Sequence, residues 1–136
     1  MRKLVVKILE KLGLYRWAVK YVNRIEHYKM ARAVRKHGLD TLISMDEAFT
    51  EMGAQMFLIY GTLLGAYRDH AFIPYDFDLD AGVLEDQLPE NYRSVILKHG
   101  FRLTCQNYEK ETGRVIEETY EKIGRASCRE RVLVTV

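Results

Sequence analysis

The stretch Ile73-Pro74-Tyr75-Asp76-Phe77-Asp78-Leu79-Asp80-Ala81-Gly82-Val83 decides how this chain folds. From Phe77 to Val83 apolar and acidic residues alternate, the pattern of a strand with one face in a core. A period of two sends Asp76, Asp78 and Asp80 to one face, with about 6 to 7 Å between successive same-face residues. Phe77 and Leu79 fall on the other face, where they are expected to anchor the strand in the core. Three like charges in a row repel unless something neutralises them. A hard divalent cation does so readily: Mg²⁺ prefers oxygen ligands, takes one or two carboxylates and completes its shell with water and phosphate. The plainer alternative is a solvated acidic face. An EF-hand loop does not fit, because the glycine and the distal glutamate stand at the wrong positions.

Upstream, Met56 to Tyr60 is a short apolar run ended by glycine, too brief for a helix and suited to a buried strand. Gly61 to Arg68 then reads as a turn leading into a short helix, and Pro74 separates that helix from the acidic strand. Backbone N–H groups at a helix N-terminus form an anion site. Gly61 permits close approach of a phosphate, and the Thr62 hydroxyl can cap the helix or donate. An ordinary helix start is the plain alternative for this pair taken alone. Together with the aspartates it makes a phosphate cradle facing a metal strand.

Further out, Leu4, Val5, Ile8, Leu12, Tyr15, Val19 and Val22 recur at helical spacing, with Lys7, Lys11, Arg16, Lys20 and Arg24 largely elsewhere. This predicts a basic amphipathic helix with a break near Gly13. It either packs on its own domain or lies on an anionic lipid surface, where Trp17, Tyr15 and Tyr21 would suit the headgroup zone. A second helix is expected from Asp40 or Thr41 as N-cap, with Ser44 and Glu47 at capping-box spacing and Gly53 as its stop. Pro89 to His99 reads as a helix stopped by Gly100. Phe101 to Asn107 and Arg114 to Glu121 read as strands joined around Gly113. The order of elements predicts an α/β (α+β) domain with a small mixed sheet.

The 136 residues suffice for one modest core, and 48% hydrophobic with 29% charged residues is ordinary for a globular protein. Charge is unevenly spread. Residues 1–38 hold 11 Lys/Arg against 2 Asp/Glu, a net +9; the remaining 10 and 17 give −7, summing to the formal +2. The basic part suits an anionic surface, and the acidic part suits a cation. With the positive charge confined to one helix, no broad basic groove for nucleic acid is evident. Neither a spanning segment nor a signal peptide is recognisable, so a cytoplasmic location is expected, with peripheral contact at the inner membrane face through residues 1–38 as a further option. Cys105 and Cys128 fit neither a disulfide framework nor a zinc site, and His70 reads as a solvated loop residue.

Leu58 to Gly82 resembles the signature of the LicD family, which includes bacterial phosphorylcholine transferases and fukutin-type ribitol-phosphate transferases. The matching residues are Gly61, Thr62, Leu63, Leu64, Gly65 and Arg68, then Ile73, Pro74, Asp76, Asp78 and Asp80. The resemblance implies a nucleotidyltransferase-like fold. It implies metal-dependent transfer of a phospho-alcohol group from a CDP-activated donor to a sugar hydroxyl, as in lipopolysaccharide or teichoic acid decoration, with Mg²⁺ or Mn²⁺ as cofactor. Asp78 and Asp80 match the metal pair, Asp76 is an auxiliary carboxylate, and Arg68 could grip a donor phosphate bidentately. Phe77 departs from the commoner aspartate at that position. The competing readings are a small nucleotidyltransferase that leaves a nucleoside monophosphate on a hydroxyl, and a non-catalytic fragment with a membrane-binding basic helix.

Sites of this kind usually add a third carboxylate from a later strand, and Glu117 and Glu118 are the adjacent candidates. The segment Ile123-Gly124-Arg125-Ala126-Ser127-Cys128-Arg129-Glu130-Arg131-Val132 looks like translated sequencing adapter. The expected organisation is therefore a leader over 1–38, a partial domain over 39–122, and a non-native, poorly packed tail over 123–136, although Val132 to Val136 has strong strand propensity.

Overall fold

The computed structural model describes residues 10–123 and, as backbone, the strand at 131–135. The expected helix from Leu4 lies outside the described residues as far as residue 9, as do residues 124–130 with Cys128. Gly13, at φ +68°, forms the turn before α1 (Tyr15–Glu51), a single helix of 37 residues. Two separate helices were expected, and the intended caps explain why only one forms. Thr41 Oγ1 donates back to His37 O at 3.1 Å and Ser44 Oγ to Asp40 O at 2.9 Å, so both hydroxyls serve the helix interior. The boundary expected after residue 38 therefore falls inside a continuous helix. What changes along α1 is burial, which begins at Met30.

The C-terminal end of α1 behaves as its sequence indicates. Gly53 takes φ +74°, its N–H reaches Thr50 O at 3.0 Å, and the Ala54 N–H reaches Phe49 O at 2.9 Å. This paired closure satisfies carbonyls that the helix would otherwise leave open.

After α1 come β1 (Phe57–Leu58), α2 (Tyr60–Asp69) and β2 (Asp78–Gly82), then a 3₁₀ turn at Glu85–Gln87 and α3 (Tyr92–Lys98). Three strands complete the chain: β3 (Phe101–Tyr108), β4 (Val115–Lys122) and β5 (Arg131–Thr135). They form one mixed sheet in the order β1-β2-β5-β4-β3. β2 and β5 are parallel, and the other neighbours are antiparallel. The fold is thus α/β, with helices against a small mixed sheet.

β5 takes up residues 131–135, overlapping the segment where the sequence shows strand propensity. Its backbone lies inside the sheet, pairing Asp80 with Leu133 on one side and Leu133 with Thr119 on the other.

Register fixes which side chains share a face, because residues paired across adjacent strands project to the same side. Leu79, Ala81 and Tyr120 are fully buried on the side that meets Val34, Met45 and Phe49 of α1, with Ile96 of α3 and Phe101 in the same core. Asp78 and Asp80 take the opposite side. No described helix is long and apolar enough to cross a membrane.

Candidate metal centre and its surroundings

Asp78 and Asp80 are held by β2, and burial of Leu79 between them fixes their direction. Asp76 precedes the strand, in a turn closed by its own N–H on Ile73 O at 3.0 Å. Loop and strand nevertheless converge, and one carboxylate oxygen from each of Asp76, Asp78 and Asp80 lies within 4.8 Å of the others. Asp80 is buried; Asp76 and Asp78 are half-buried.

Phe77 does not enter the core as expected. It is half-buried and stacks on the exposed ring of His27 from α1, with centroids 4.4 Å apart and planes 9° from parallel. The turn at Asp76 accounts for the difference, because alternation applies only once the extended strand has begun at Asp78.

The N-terminus of α2 closes on Asp80. The Gly61 N–H donates to Asp80 Oδ2 at 3.1 Å, the Asp80 N–H donates to Thr62 Oγ1 at 2.7 Å, and the Ile59 N–H reaches Asp80 O at 3.3 Å. Thr62 is buried and does not cap its helix. The groups that the sequence offers to a phosphate are thus engaged with the aspartate strand. A Cβ at Gly61 would sit 2.3 Å from Asp76 Oδ2 and 3.3 Å from Asp80 Oδ2, so only glycine lets both carboxylates approach this helix end. Tyr60, just before it, holds φ +44°, a left-handed conformation uncommon for a tyrosine. Sequence reading did not mark that residue, since no side-chain pattern signals a strained entry to a helix.

The electrostatics are those of charge held against repulsion. Burial, followed by the Asp76 charge, raises the Asp80 carboxyl above its ordinary pKa. The N–H groups of Gly61 and Thr62 pull it back, and Glu117 adds a further push upward. A cation would relieve that strain, and an all-carboxylate donor set is compatible with a hard divalent ion.

The two candidates for a further carboxylate separate cleanly. Glu117 pairs with Thr135, which pairs with Gly82, so it projects on the aspartate side two strands away, and its charge is felt at Asp80. Glu118 projects the other way and is fully buried. It accepts hydrogen bonds from Arg93 Nε at 2.7 Å, Gln106 Nε2 at 2.7 Å and the Tyr120 hydroxyl at 2.6 Å. Burial alone would raise its pKa, yet these donors outweigh burial and the net shift is downward. Adjacent glutamates look equivalent in a sequence until register assigns their faces.

Arg68 stands apart from this cluster. It lies in the last turn of α2, seven residues beyond Gly61 and so about 10 Å of helix rise away. Its Nε and Nη2 contact both oxygens of Asp69 at 2.8 and 2.6 Å. His70 is exposed and caps α2 in a left-handed conformation, and Cys105 is an exposed free thiol.

Residues 53–127, more than half of the chain, match the family described as LicD/FKTN/FKRP, nucleotidyltransferase domain. The chain belongs to this family. The match covers the α2 start, the three aspartates and both glutamates, and at family level it makes the chain a transferase. A comparison with curated proteins finds no match.

Proposed function

We propose that the chain serves metal-dependent transfer of a phospho-alcohol group, of phosphorylcholine type, from a CDP-activated donor to a sugar hydroxyl of a cell-surface glycan, on the cytoplasmic side. The observation that carries this reading is the convergence of Asp76, Asp78 and Asp80 at the N-terminus of α2 within a domain of this family. Asp78 and Asp80 would hold Mg²⁺ or Mn²⁺, with Asp76 as the auxiliary ligand. Such an ion would supply Lewis-acid stabilisation of the charge that develops on the phosphate and on the leaving group.

The chain's own residues divide the remaining work. Gly61 and Thr62 fix Asp80 through the 3.1 Å and 2.7 Å hydrogen bonds and so position the carboxylate that would hold the ion. Glu117, on the same face, takes the proton of the attacking sugar hydroxyl. The new bond joins the sugar oxygen to the phosphorus bearing the alcohol, the diphosphate bridge breaks, and CMP leaves. Arg68, engaged by Asp69, serves as a phosphate ligand only if it exchanges that partner for the donor.

Calorimetric titration of Mg²⁺ and Mn²⁺, with and without a CDP-alcohol, tests the site in the wild-type chain and in Asp78→Ala/Asp80→Ala. Metal binding that strengthens with nucleotide and vanishes in the double variant supports the reading. Equal binding by both proteins removes it. Mass analysis of the acceptor then identifies the transferred group, since a nucleotide adduct rules out phospho-alcohol transfer.

A further inference from the structure

The N-terminal half of α1 is laid out as a surface for something outside the domain. From Tyr15 to Lys29 none of its residues is buried, although Trp17 and Tyr28 are 66% exposed and Tyr21 55%. Tyr15, Val19 and Val22, on the apolar face read from the sequence, are exposed as well. A side chain advances 100° per residue around a helix, and this rotation separates two faces of α1. One face carries Met30, Val34, Thr41 and Met45 into the core and, continued toward the N-terminus, carries Arg16, Lys20 and His27. The stack of His27 on Phe77 confirms that this face looks toward the domain.

The opposite face runs through Trp17, Tyr21, Ile25 and Tyr28, at steps of four, four and three, and therefore looks away from the domain. Trp17 and Tyr21 stack on it with centroids 5.6 Å apart. The same stripe continues through exposed Arg32, Arg35 and Lys36 to Leu39, which is 63% exposed, and Ile43, 50% exposed. An aromatic patch is thus followed on one face by three cations and then by more apolar surface. Two copies paired along this stripe would gather three cations from each at one interface. An anionic surface neutralises them, while an apolar layer beneath it takes the aromatic rings.

We infer that the outward stripe of α1 is a membrane-interfacial surface, with Trp17, Tyr21, Ile25 and Tyr28 seated at the headgroup and acyl boundary of an anionic bilayer and Arg32, Arg35 and Lys36 on its phosphates. The net charge of +9 over residues 1–38 has the sign this requires. The inference is independent of the metal site, which lies on another element. It holds the domain at a lipid surface, with the face that carries His27 turned inward.

Trp17 is the sole tryptophan, so its fluorescence reads out this surface directly. The full chain is mixed with vesicles of phosphatidylcholine alone and of phosphatidylcholine with phosphatidylglycerol, at low and high salt. Blue-shifted Trp17 emission and co-sedimentation are expected with the anionic vesicles at low salt, weakening as salt rises. Arg32→Gln/Arg35→Gln/Lys36→Gln should lower the partition coefficient about 100-fold, and Ile25→Glu should abolish the blue shift, with circular dichroism reporting on the fold of each. No shift in the wild-type chain overturns the inference regardless of how the variants behave. An equal shift with neutral vesicles overturns the anionic partner. A shift in buffer that grows with protein concentration overturns it in favour of a second copy of the chain.

Discussion

Asp80 and Glu118 are both buried carboxylates on strands of the same sheet, and their surroundings treat charge in opposite ways. Glu118, on the core side, is met by a guanidinium, an amide and a phenol, and its pKa is lowered. Asp80, on the other side, is met by two backbone N–H groups and the charges of Asp76 and Glu117, and its pKa is raised. A buried charge supplied with donors locks packing, whereas one placed beside like charges is held against repulsion and is compatible with a cation. The difference separates a carboxylate that is satisfied by the core from one that is held against its neighbours' charge.

Removing each charge in turn should break the comparison most visibly. Asp80→Asn keeps the side chain's size and should weaken Mg²⁺ or Mn²⁺ binding about 1,000-fold by calorimetry, because a ligand charge is lost. Its midpoint in urea without metal should not fall, since the substitution also removes repulsion from Asp76. Glu118→Ala should do the reverse. It strands Gln106, Tyr120 and Arg93 and should cost about 3 kcal/mol in urea unfolding, near the low end for a broken buried pair because Arg93 is partly exposed and can rehydrate. Metal affinity of the fraction that remains folded should be nearly unchanged. A Glu118→Ala protein as stable as wild type would dissolve the distinction.

Gly61→Ala probes how closely the two carboxylates must approach α2. The new methyl would meet Asp76 Oδ2 at 2.3 Å, so this flexible carboxylate must swing away. Metal affinity should fall about 10- to 100-fold, the range typical of losing a positioning contact, with a smaller effect on stability. Unchanged affinity would show that Asp76 is dispensable to the site.

Much of this arrangement was legible in the sequence because it is local. Alternation around Leu79 gave β2, Gly61 marked the start of α2, and the glycines at 53, 100 and 113 marked the stops and the hairpin that the structure contains. The shared face of Asp78 and Asp80 followed from their spacing, whereas Asp76 joins them from a turn. The rest depended on distant partners. Thr41 and Ser44 look like caps unless the preceding turn is already helical, so a 37-residue helix read as two. Phe77 looks like a core residue until a turn ends the alternation and His27 arrives from another element. Val132 to Thr135 announces a strand by propensity, but its place between β2 and β4 is a pairing between remote segments that no local pattern encodes. Glu117 and Glu118 needed that same register before their roles could be told apart.

The finest test of the contrast is its dependence on pH, measured in chelator so that no cation intervenes. Glu118 has a folded pKa below the ordinary 4.5, so the unfolded chain binds the proton more readily. Its contribution is fully present above pH 4.5 and is lost as pH falls through the lowered folded value. Asp80 has a folded pKa above the ordinary 3.8, so the folded chain binds the proton more readily. The stability linked to its protonated form is present below pH 3.8 and is lost as pH rises through the raised folded value. The two slopes therefore oppose each other in the acid range, and single substitutions separate them. Asp80→Asn should make the wild-type curve rise more steeply with pH, and Glu118→Gln should flatten it or reverse its sign. If both substitutions moved the slope in the same direction, the two carboxylates would be responding to one environment rather than two.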